Sequence, residues 1–336
     1  MKKILLSAIA IATVATAGES IVKSHVPVLK FSGTHYLGYV NSSPEDGDST
    51  SKFETRRNYL QVKAYFKKNP KDYMRITLDT HDTKDGETNV RLKYAFLYLH
   101  NVLPNTSIEF GQAHRPWIDY EEHNAWNYRS ISKVLVEAHN GAHLTNSSDR
   151  GINFKTKTPY FSSELGVFNG EGYHTAQNGK DLSAEWRLTG HILGTGKEKA
   201  KKSATYTNIS FFGQQNKGYK GGEDLNWMGL HAVYNQPEFL LSAQYIDVAD
   251  GTESQKGTGY SVNGEYRVAP KWNLIGRYDN FEMDLTSKEK KRALAGVSYK
   301  YNDNVEFIAN YLTEGGDALD DKKTHDSVML TAQVEW

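Results

Sequence analysis

The feature that most constrains the fold is a two-residue alternation of apolar and polar side chains, which recurs along most of the chain. In the last ten residues, SVMLTAQVEW, the apolar face runs from Val328 to Trp336 in steps of two, and the other face is mainly polar. This period is that of an extended strand with two different faces. Sixteen such segments are predicted. They span residues 28–41, 54–68, 71–81, 89–101, 105–113, 149–158, 161–170, 181–193, 202–214, 224–236, 238–248, 257–268, 271–283, 290–302, 304–314 and 325–336.

The connections between these segments alternate in character. One set is tight and contains five prolines, which fit turns because a fixed φ and a missing N–H do no harm there. These are Pro70, Pro104, Pro159, Pro237 and Pro270. The other set is longer and hydrophilic, as in SSPEDGDSTS and GGDALDDKKTH. Tight turns on one rim and long loops on the other are typical of a transmembrane β-barrel. We therefore predict an all-β fold, a closed antiparallel barrel of about 16 strands.

A soluble secreted β-sandwich is the alternative fold, because its strands also alternate. Two observations favour the barrel. The predicted strands are long enough for the ~9–11 residues that a tilted strand needs to cross a bilayer. The chain also has 21 Tyr and 28 Gly, whereas a dry sandwich core would favour Val, Ile and Leu. In a barrel the apolar face contacts lipid and the polar face lines the lumen.

The amino terminus has the pattern of a secretory signal peptide. Lys2 and Lys3 precede a short apolar run, and the small residues Ala15 and Ala17 follow it. The alternative is a membrane anchor, but the run is shorter than the ~20 residues of a spanning helix. We expect residues 1–17 to be cleaved and residues 18–336 to form a single barrel domain.

Composition excludes several classes of protein. The full chain has no net charge, and cleavage of the leader would leave about −2, which argues against a nucleic-acid partner. There is no Cys, so disulfides and thiol catalysis are excluded. No segment after the leader is apolar for 18 residues, so no membrane helix is predicted. The pattern calls for no cofactor.

Aromatic residues near the strand ends are expected to form belts at the two membrane interfaces. They are Tyr73, Tyr98, Trp186, Tyr234, Tyr245, Trp272 and Tyr301. Trp336 then has a role as a lipid-facing residue of the strand that closes the barrel. We expect the barrel-assembly machinery to act through this carboxyl-terminal strand.

One segment, residues 113–149, interrupts the rhythm of hairpins between the fifth and sixth strands. We predict that this third long loop folds inward and narrows the channel, since long loops in compact folds are usually functional. The alternatives are an external lid or a subunit contact. Its stretch SISKVLVEA is expected to form a short helix. The candidate constriction residues have mixed charge: Arg115, Asp119, Glu121, Glu122, Arg129 and Lys133.

The lumen strands also carry both signs of charge, but the second to fourth strands hold most of the inward cations. Alternation places five of them on one wall, namely Arg57, Lys63, Arg75, Arg91 and Lys93. Inward carboxylates such as Asp79, Glu109 and Glu185 oppose them. The balance favours a mild preference for anions.

The same loop holds His139 and His143, which have the i, i+4 spacing of a helix with Glu137 nearby. Such a pair is a conceivable metal or proton site. However, Gly141 lies between them and weakens any helix, so we predict no metal site.

Three stretches resemble the phosphate-selective O and P family of porins. They are FETRRNYLQVKAYF (53–66), SIEFGQAHRPW (107–117) and DRGINFKTKTPYFSSELGVFNGEGY (149–173). The resemblance implies a 16-stranded, trimeric diffusion channel of the outer membrane. It also implies an inward arginine ladder in the phosphate-selective members, in which Arg57, Arg75 and Arg91 would stand by position. The lumen carboxylates of this chain depart from that pattern.

The sequence therefore predicts a porin for small hydrophilic solutes or ions, with membrane lipid and copies of itself as partners. Two other functions remain open. A structural or adhesive barrel would not conduct. An outer-membrane hydrolase would need a nucleophile and a base, for which Ser130, Ser132 and His139 are available, although no nucleophile-elbow motif occurs.

Overall fold

A computed structural model describes residues 27–83, 85–219, 222–252, 255–318 and 324–336. The expected signal peptide, residues 1–17, lies outside these ranges. The described part contains 16 strands and one helix. They are β1 (Val28–Pro44), β2 (Thr50–Tyr65), β3 (Tyr73–Asp82), β4 (Thr88–Leu103), β5 (Thr106–His114), α1 (Ile118–Asn124), β6 (Ser148–Lys157), β7 (Phe161–Phe168), β8 (Ser183–Leu193), β9 (Tyr206–Tyr219), β10 (Glu223–Asn235), β11 (Phe239–Asp250), β12 (Gly257–Ala269), β13 (Trp272–Met283), β14 (Lys288–Lys300), β15 (Val305–Gly315) and β16 (His325–Glu335).

The strands form one closed antiparallel barrel in which every strand pairs with its sequence neighbours and β1 pairs with β16. Closure leaves no free edge, so the backbone groups of every strand have partners. The predicted fold class is confirmed. Within the described residues, no helix is long and apolar enough to cross a membrane.

The alternating pattern places different side chains on the two faces of the wall. In β11, for example, Leu241 and Tyr245 are more than half exposed on the outside, while Ser242 and Gln244 are buried on the inside. The inner face is not uniformly polar, because Ile246 and Val248 of the same strand also point inward. These inner apolar side chains are covered by a loop described below.

The two rims differ less in connection length than the sequence predicts. The stretch NKGYKGGED is mostly strand, since β9 continues to Tyr219 and β10 starts at Glu223. Hydrophilic residues can extend a ladder into water, because hydrogen bonding within the ladder needs no apolar face. Conversely, residues 194–205, on the rim of tight turns, form a long connection between β8 and β9. We call this rim the short-turn rim.

Two further expectations are corrected. The helix of the third loop is α1, whereas SISKVLVEA forms isolated turns in which Val134 and Leu135 are fully buried. Burial of these apolar side chains outweighs local helix propensity. Tyr73 and Tyr98 do not belong to an outer belt, because their rings stack at 4.7 Å against the buried inner-face cluster around Phe96.

The seam between β1 and β16 is closed by the last residue. Trp336 and Gly33 exchange two backbone hydrogen bonds of 2.8 and 3.1 Å. The indole lies over Gly33, where any Cβ would approach its ring to 2.5 Å, so only glycine fits. The indole N–H also lies 3.0 Å from the His35 ring, and the two rings stack.

Candidate functional site

The third long connection, residues 115–147, lies inside the barrel, and we call it the inward loop. Its two ends leave from adjacent points of the wall, since His114 of β5 pairs with Ser148 of β6. It contains α1, which begins after Trp117 and has no side-chain cap. The predicted boundaries of 113–149 include the last residue pairs of the two flanking strands.

Apolar side chains hold the inward loop against one half of the wall. Trp117 stacks face to face on Phe212 of β9, with ring centroids 3.5 Å apart. Val134, Leu135 and Val136 are fully buried in the same cluster. Its wall members come from β1, β9–β11 and β13–β16 and are Val40, Phe212, Tyr219, Leu225, Trp227, Ile246, Val248, Ile275, Phe281, Met283, Leu294, Ile308 and Met329. This inner apolar footprint fixes the side on which the loop lies.

Polar contacts fix the loop at its backbone. Arg56 of β2 donates a 2.9 Å hydrogen bond to the Ser130 carbonyl, and Arg292 of β14 donates one of 3.0 Å to that of Lys133. Asn263 of β12 donates to the carbonyl of Ala125 at 2.9 Å. Each bond satisfies a carbonyl that a buried loop would otherwise leave unpaired. These contacts anchor the loop to β2, β12 and β14.

Two of the predicted constriction residues serve as anchors. Arg115 is buried and forms an ion pair with Glu185 of β8, with an Nε–Oε distance of 2.8 Å. Glu121 is buried beneath α1, where it accepts hydrogen bonds from Trp117 at 2.8 Å and from Gln244 at 2.7 Å. Both lie between the loop and the wall. Neither is exposed on an open passage.

Burial raises the pKa of Glu121 to about 7, although the Arg277 guanidinium 3.6 Å away opposes this shift. Asp279, which bonds to Arg277, adds to the rise. A carboxyl whose folded-state pKa is raised binds a proton that the unfolded chain has already released. Stability is then lost as pH rises from the ordinary value of 4.5 to about 7, and it is level above that.

We expect the Glu121→Gln variant to gain stability over the parent as pH rises from 5 to 8. The amide cannot ionise, so it avoids the cost of burying the charge, which amounts to about 3 kcal/mol over the full shift. Thermal unfolding in detergent at both pH values measures this difference. Glu238→Gln, an exposed carboxylate at a tight turn, is the control. If the difference in thermal stability between the parent and Glu121→Gln did not change with pH, the raised pKa of Glu121 would be contradicted.

One edge of the inward loop carries the charged side chains described next, and we call this edge the charged rim. Arg129 forms ion pairs with both Glu122 and Glu137, and its Nη2 lies 2.8 Å from a Glu137 oxygen. Lys133 lies 3.6 Å from Glu137 and is nearly half exposed. Burial raises the pKa of Glu122 against the opposing effect of Arg129. For Glu137, burial acts in the same direction, but Arg129 and Lys133 outweigh it and lower the pKa.

The third acidic candidate of the loop, Asp119, lies at the other side of α1. Its side chain is 38% exposed. One of its oxygens lies 3.5 Å from the His123 ring and 3.9 Å from the His114 ring. Asp119 therefore lies towards β5, away from the charged rim around Arg129.

The five cations of the predicted wall all lie on the inner face of β2–β4, and we call them the basic wall. Asp79 is their main carboxylate partner, with Arg91 at 3.0 Å and Arg57 at 3.6 Å. Arg57 and Lys93 also lie near enough to Arg129 for electrostatic repulsion. The basic wall and the charged rim of the inward loop therefore face each other.

Aromatic rings hold the remaining cations of the basic wall. The Lys93 ammonium is 4.3 Å from the centroid of the Tyr59 ring, and that of Lys63 is 4.8 Å from the Tyr73 ring. The Arg75 guanidinium lies 4.5 Å from the Tyr94 ring. Attraction to a ring orients a cation without neutralising its charge. The wall thus keeps an excess of positive charge.

A second inward segment was not predicted from the sequence. Residues 194–205, GTGKEKAKKSAT, fold over the lumen at the short-turn rim, and we call them the rim segment. Asn235 donates a 3.1 Å hydrogen bond to the Lys202 carbonyl, and the Lys202 ammonium bonds to Glu265 at 3.0 Å. Ala200 packs against a buried cluster that includes Ala125 of the inward loop. The Lys202 ammonium also lies 3.4 Å from the Tyr128 hydroxyl of the inward loop, so the two segments touch.

The loop histidines do come together. The rings of His139 and His143 meet edge to face with centroids 5.1 Å apart, and both residues are exposed. Within the described residues, no group of three or more metal-ligating side chains is present.

Solved structures with the same fold include porins and an outer-membrane protein, OmpT. An anion-selective porin from Comamonas acidovorans has a TM-score of 0.67 at 12% identity, covering 92% of this chain and 99% of that one. A loop-deletion mutant of OmpT from Vibrio cholerae gives 0.62 at 14%, covering 93% and 100%. A mutant of the Rh. blastica porin gives 0.60 at 10%, covering 92% and 100%. No family model and no curated relative matches the chain.

The class of the molecule follows from these observations. It is a 16-stranded antiparallel β-barrel of the porin type with an inward third loop. The narrower resemblance to the phosphate-selective O and P porins is not matched by a family model.

Proposed function

We propose that this protein is an outer-membrane porin, a water-filled channel for passive diffusion of small hydrophilic solutes and ions. One observation carries the proposal. A closed barrel with an apolar outer face contains an inward loop whose charged rim faces the basic wall across the lumen. A 16-stranded barrel is too wide for its own side chains to fill, so the loop sets the width of the passage.

Planar-bilayer recording of the purified protein tests this function. A porin gives stepwise conductance increases in KCl. A structural or adhesive barrel gives none. The hydrolase alternative finds little support, since Arg292 binds the Ser132 hydroxyl and the Ser130 hydroxyl has no hydrogen-bond partner.

Location and assembly belong to the same proposal. Residues 1–17 would direct export, and the barrel-assembly machinery would recognise β16. The outer face supports a lipid environment, with exposed side chains such as Leu230, Leu241 and Leu330. A homotrimer is proposed by analogy, since a trimer form of the similar OmpT is known.

We further propose a mild preference for anions. The basic wall contributes five cations, and within the described residues only Asp79 forms ion pairs with it. Field lines from such a wall raise the local concentration of anions in a narrow aqueous passage. The loop contributes little net bias, because Arg129 and Lys133 are paired with Glu122 and Glu137.

The Lys63→Glu variant is expected to lower the anion-to-cation permeability ratio by about fourfold. The substitution changes two unit charges near the ion path, which raises the energy of an anion about 8 Å away by roughly 0.4 kcal/mol after screening and lowers that of a cation by the same amount. Lys63 suits the test because its ammonium lies over a ring and, within the described residues, forms no ion pair that the change would break. Reversal potentials across a KCl gradient measure the ratio. Lys68→Glu, on an exposed side chain in the turn that follows the same strand, is the control.

A further inference from the structure

The rim segment encloses a chamber of about 320 Å³ on the short-turn side of the inward loop. The chamber adjoins the inward loop, since Glu122 and Arg129 are part of its lining, so a solute that passes the loop can enter it. Its charged lining comes from three separate parts of the chain: the loop, the rim segment and the ends of β14–β16. The residues that matter here are Glu122, Arg129, Lys199, Lys202, Glu306 and Glu335.

One side of the chamber is basic. Lys202 is paired with Glu265, but the exposed Lys199 has no carboxylate within ion-pair distance in the described part of the chain. Because Lys199 belongs to the rim segment, its position depends on the contacts of Lys202 and Ala200 with the wall and the inward loop. An uncompensated ammonium therefore points into a space open to solutes.

The other side of the chamber is acidic. Glu306 pairs in register with Lys300, but the Lys300 ammonium bonds to Asp303 at 2.7 Å. Glu335 accepts a 2.9 Å hydrogen bond from Gln333. Among the described residues, neither Glu306 nor Glu335 forms an ion pair. Two carboxylates without an ion-pair partner among the described residues thus line the same chamber as Lys199.

We propose that this chamber is a binding site for small zwitterions of the α-amino acid type. The solute carboxylate would meet Lys199, and its ammonium would meet Glu306 and Glu335. Opposite charges on separate elements of a rigid wall cannot collapse onto each other, but a molecule that carries both charges can bridge them. The volume is sufficient for a free amino acid. This inference names a substrate class and rests on the proposed porin function.

Glutamate and glutarate provide a matched pair of probes, because both have two carboxylates on the same chain length and only glutamate has an ammonium group. Added on the short-turn side, glutamate is expected to reduce the KCl current at about tenfold lower concentration than glutarate, which corresponds to one charge-assisted contact. General attraction of anions predicts the opposite order, since glutarate carries the larger negative charge. Equal or stronger block by glutarate would overturn the proposal.

Variants assign the two halves of the site. The double variant Glu306→Gln and Glu335→Gln should abolish the advantage of glutamate over glutarate. Lys199→Gln should weaken the block of the current by both probes. Glu238→Gln, on the same rim outside the chamber, should leave the block by glutamate and the block by glutarate unchanged. Ligand-observed NMR in detergent gives the same comparison without conductance. If no current steps appear, the proposed porin function is refuted. If current steps appear but glutamate blocks no better than glutarate, only the proposed zwitterion site is refuted.

Discussion

Removal of residues 117–145 is expected to raise single-channel conductance about threefold, because the inward loop occupies much of a lumen that wall side chains cannot fill. The geometry suits a clean deletion. Arg115 donates a backbone hydrogen bond of 3.3 Å to Ser147, so one glycine can join Pro116 to Asn146 at the top of an existing hairpin. The ladder between β5 and β6 stays intact. Planar-bilayer recording in KCl measures the change.

A deletion of residues 174–180, in the connection between β7 and β8, is the control for shortening a loop, and it should leave conductance near the parent value. Leu135→Asp provides a milder test if the deleted barrel assembles poorly. A carboxylate at this fully buried position would loosen the loop from the apolar footprint and add current noise. Unchanged conductance in the deleted channel would show that the inward loop does not limit the passage.

The barrel was predictable because each strand separates two different environments. Alternation survives wherever one face must be apolar, and the sequence carries this signal in each of the sixteen strands. Local irregularities were not predictable. At the register shift between Tyr36 and Leu37, Arg56 is an extra residue that β1 does not pair, and it points inward beside Arg57. A strict period of two would place the two arginines on opposite faces.

The candidate site was predictable in outline only. Alternation assigned the basic wall to the inner face, but it could not show that rings rather than carboxylates would hold Lys63 and Lys93. The docking side of the loop did leave a signal. Ile246, Phe281 and Leu294 are apolar although they lie on the lumen face, which is expected to contact water. Their apolar character indicates that another segment covers them. The inner polar positions alone gave no such indication.

The rim segment illustrates the opposite case. A basic, glycine-containing stretch on the rim of tight turns looks like an ordinary solvated connection. Its inward fold depends on the contact of Ala200 with a buried cluster and on hydrogen bonds from Asn235, which lies in another hairpin. Contacts of this kind leave no periodic mark in the sequence.

The Trp336→Ala variant is expected to lower the fraction of assembled barrel by about tenfold. Trp336 holds the seam between β1 and β16 through its ring, which covers Gly33 and stacks with His35. Loss of the stacked ring and its hydrogen bond costs about 1–2 kcal/mol, or roughly a factor of ten in an equilibrium. The seam joins the two ends of the chain, so it depends on no connecting turn. Heat-modifiable electrophoretic mobility of membrane fractions measures the assembled share.

Trp272→Ala is the matched control, because Trp272 is similarly exposed, packs against the Tyr299 ring of the neighbouring strand and lies beside a tight turn. It removes the same aromatic area from the outer face, but the turn still holds β12 and β13 together. A general loss of interfacial aromatic residues would therefore impair both variants equally, whereas a role in closing the barrel impairs Trp336→Ala far more. Gly33→Val should reproduce the assembly defect of Trp336→Ala with the tryptophan still present, since the valine side chain would displace the indole. Normal assembly of both seam variants would contradict the closing role of Trp336.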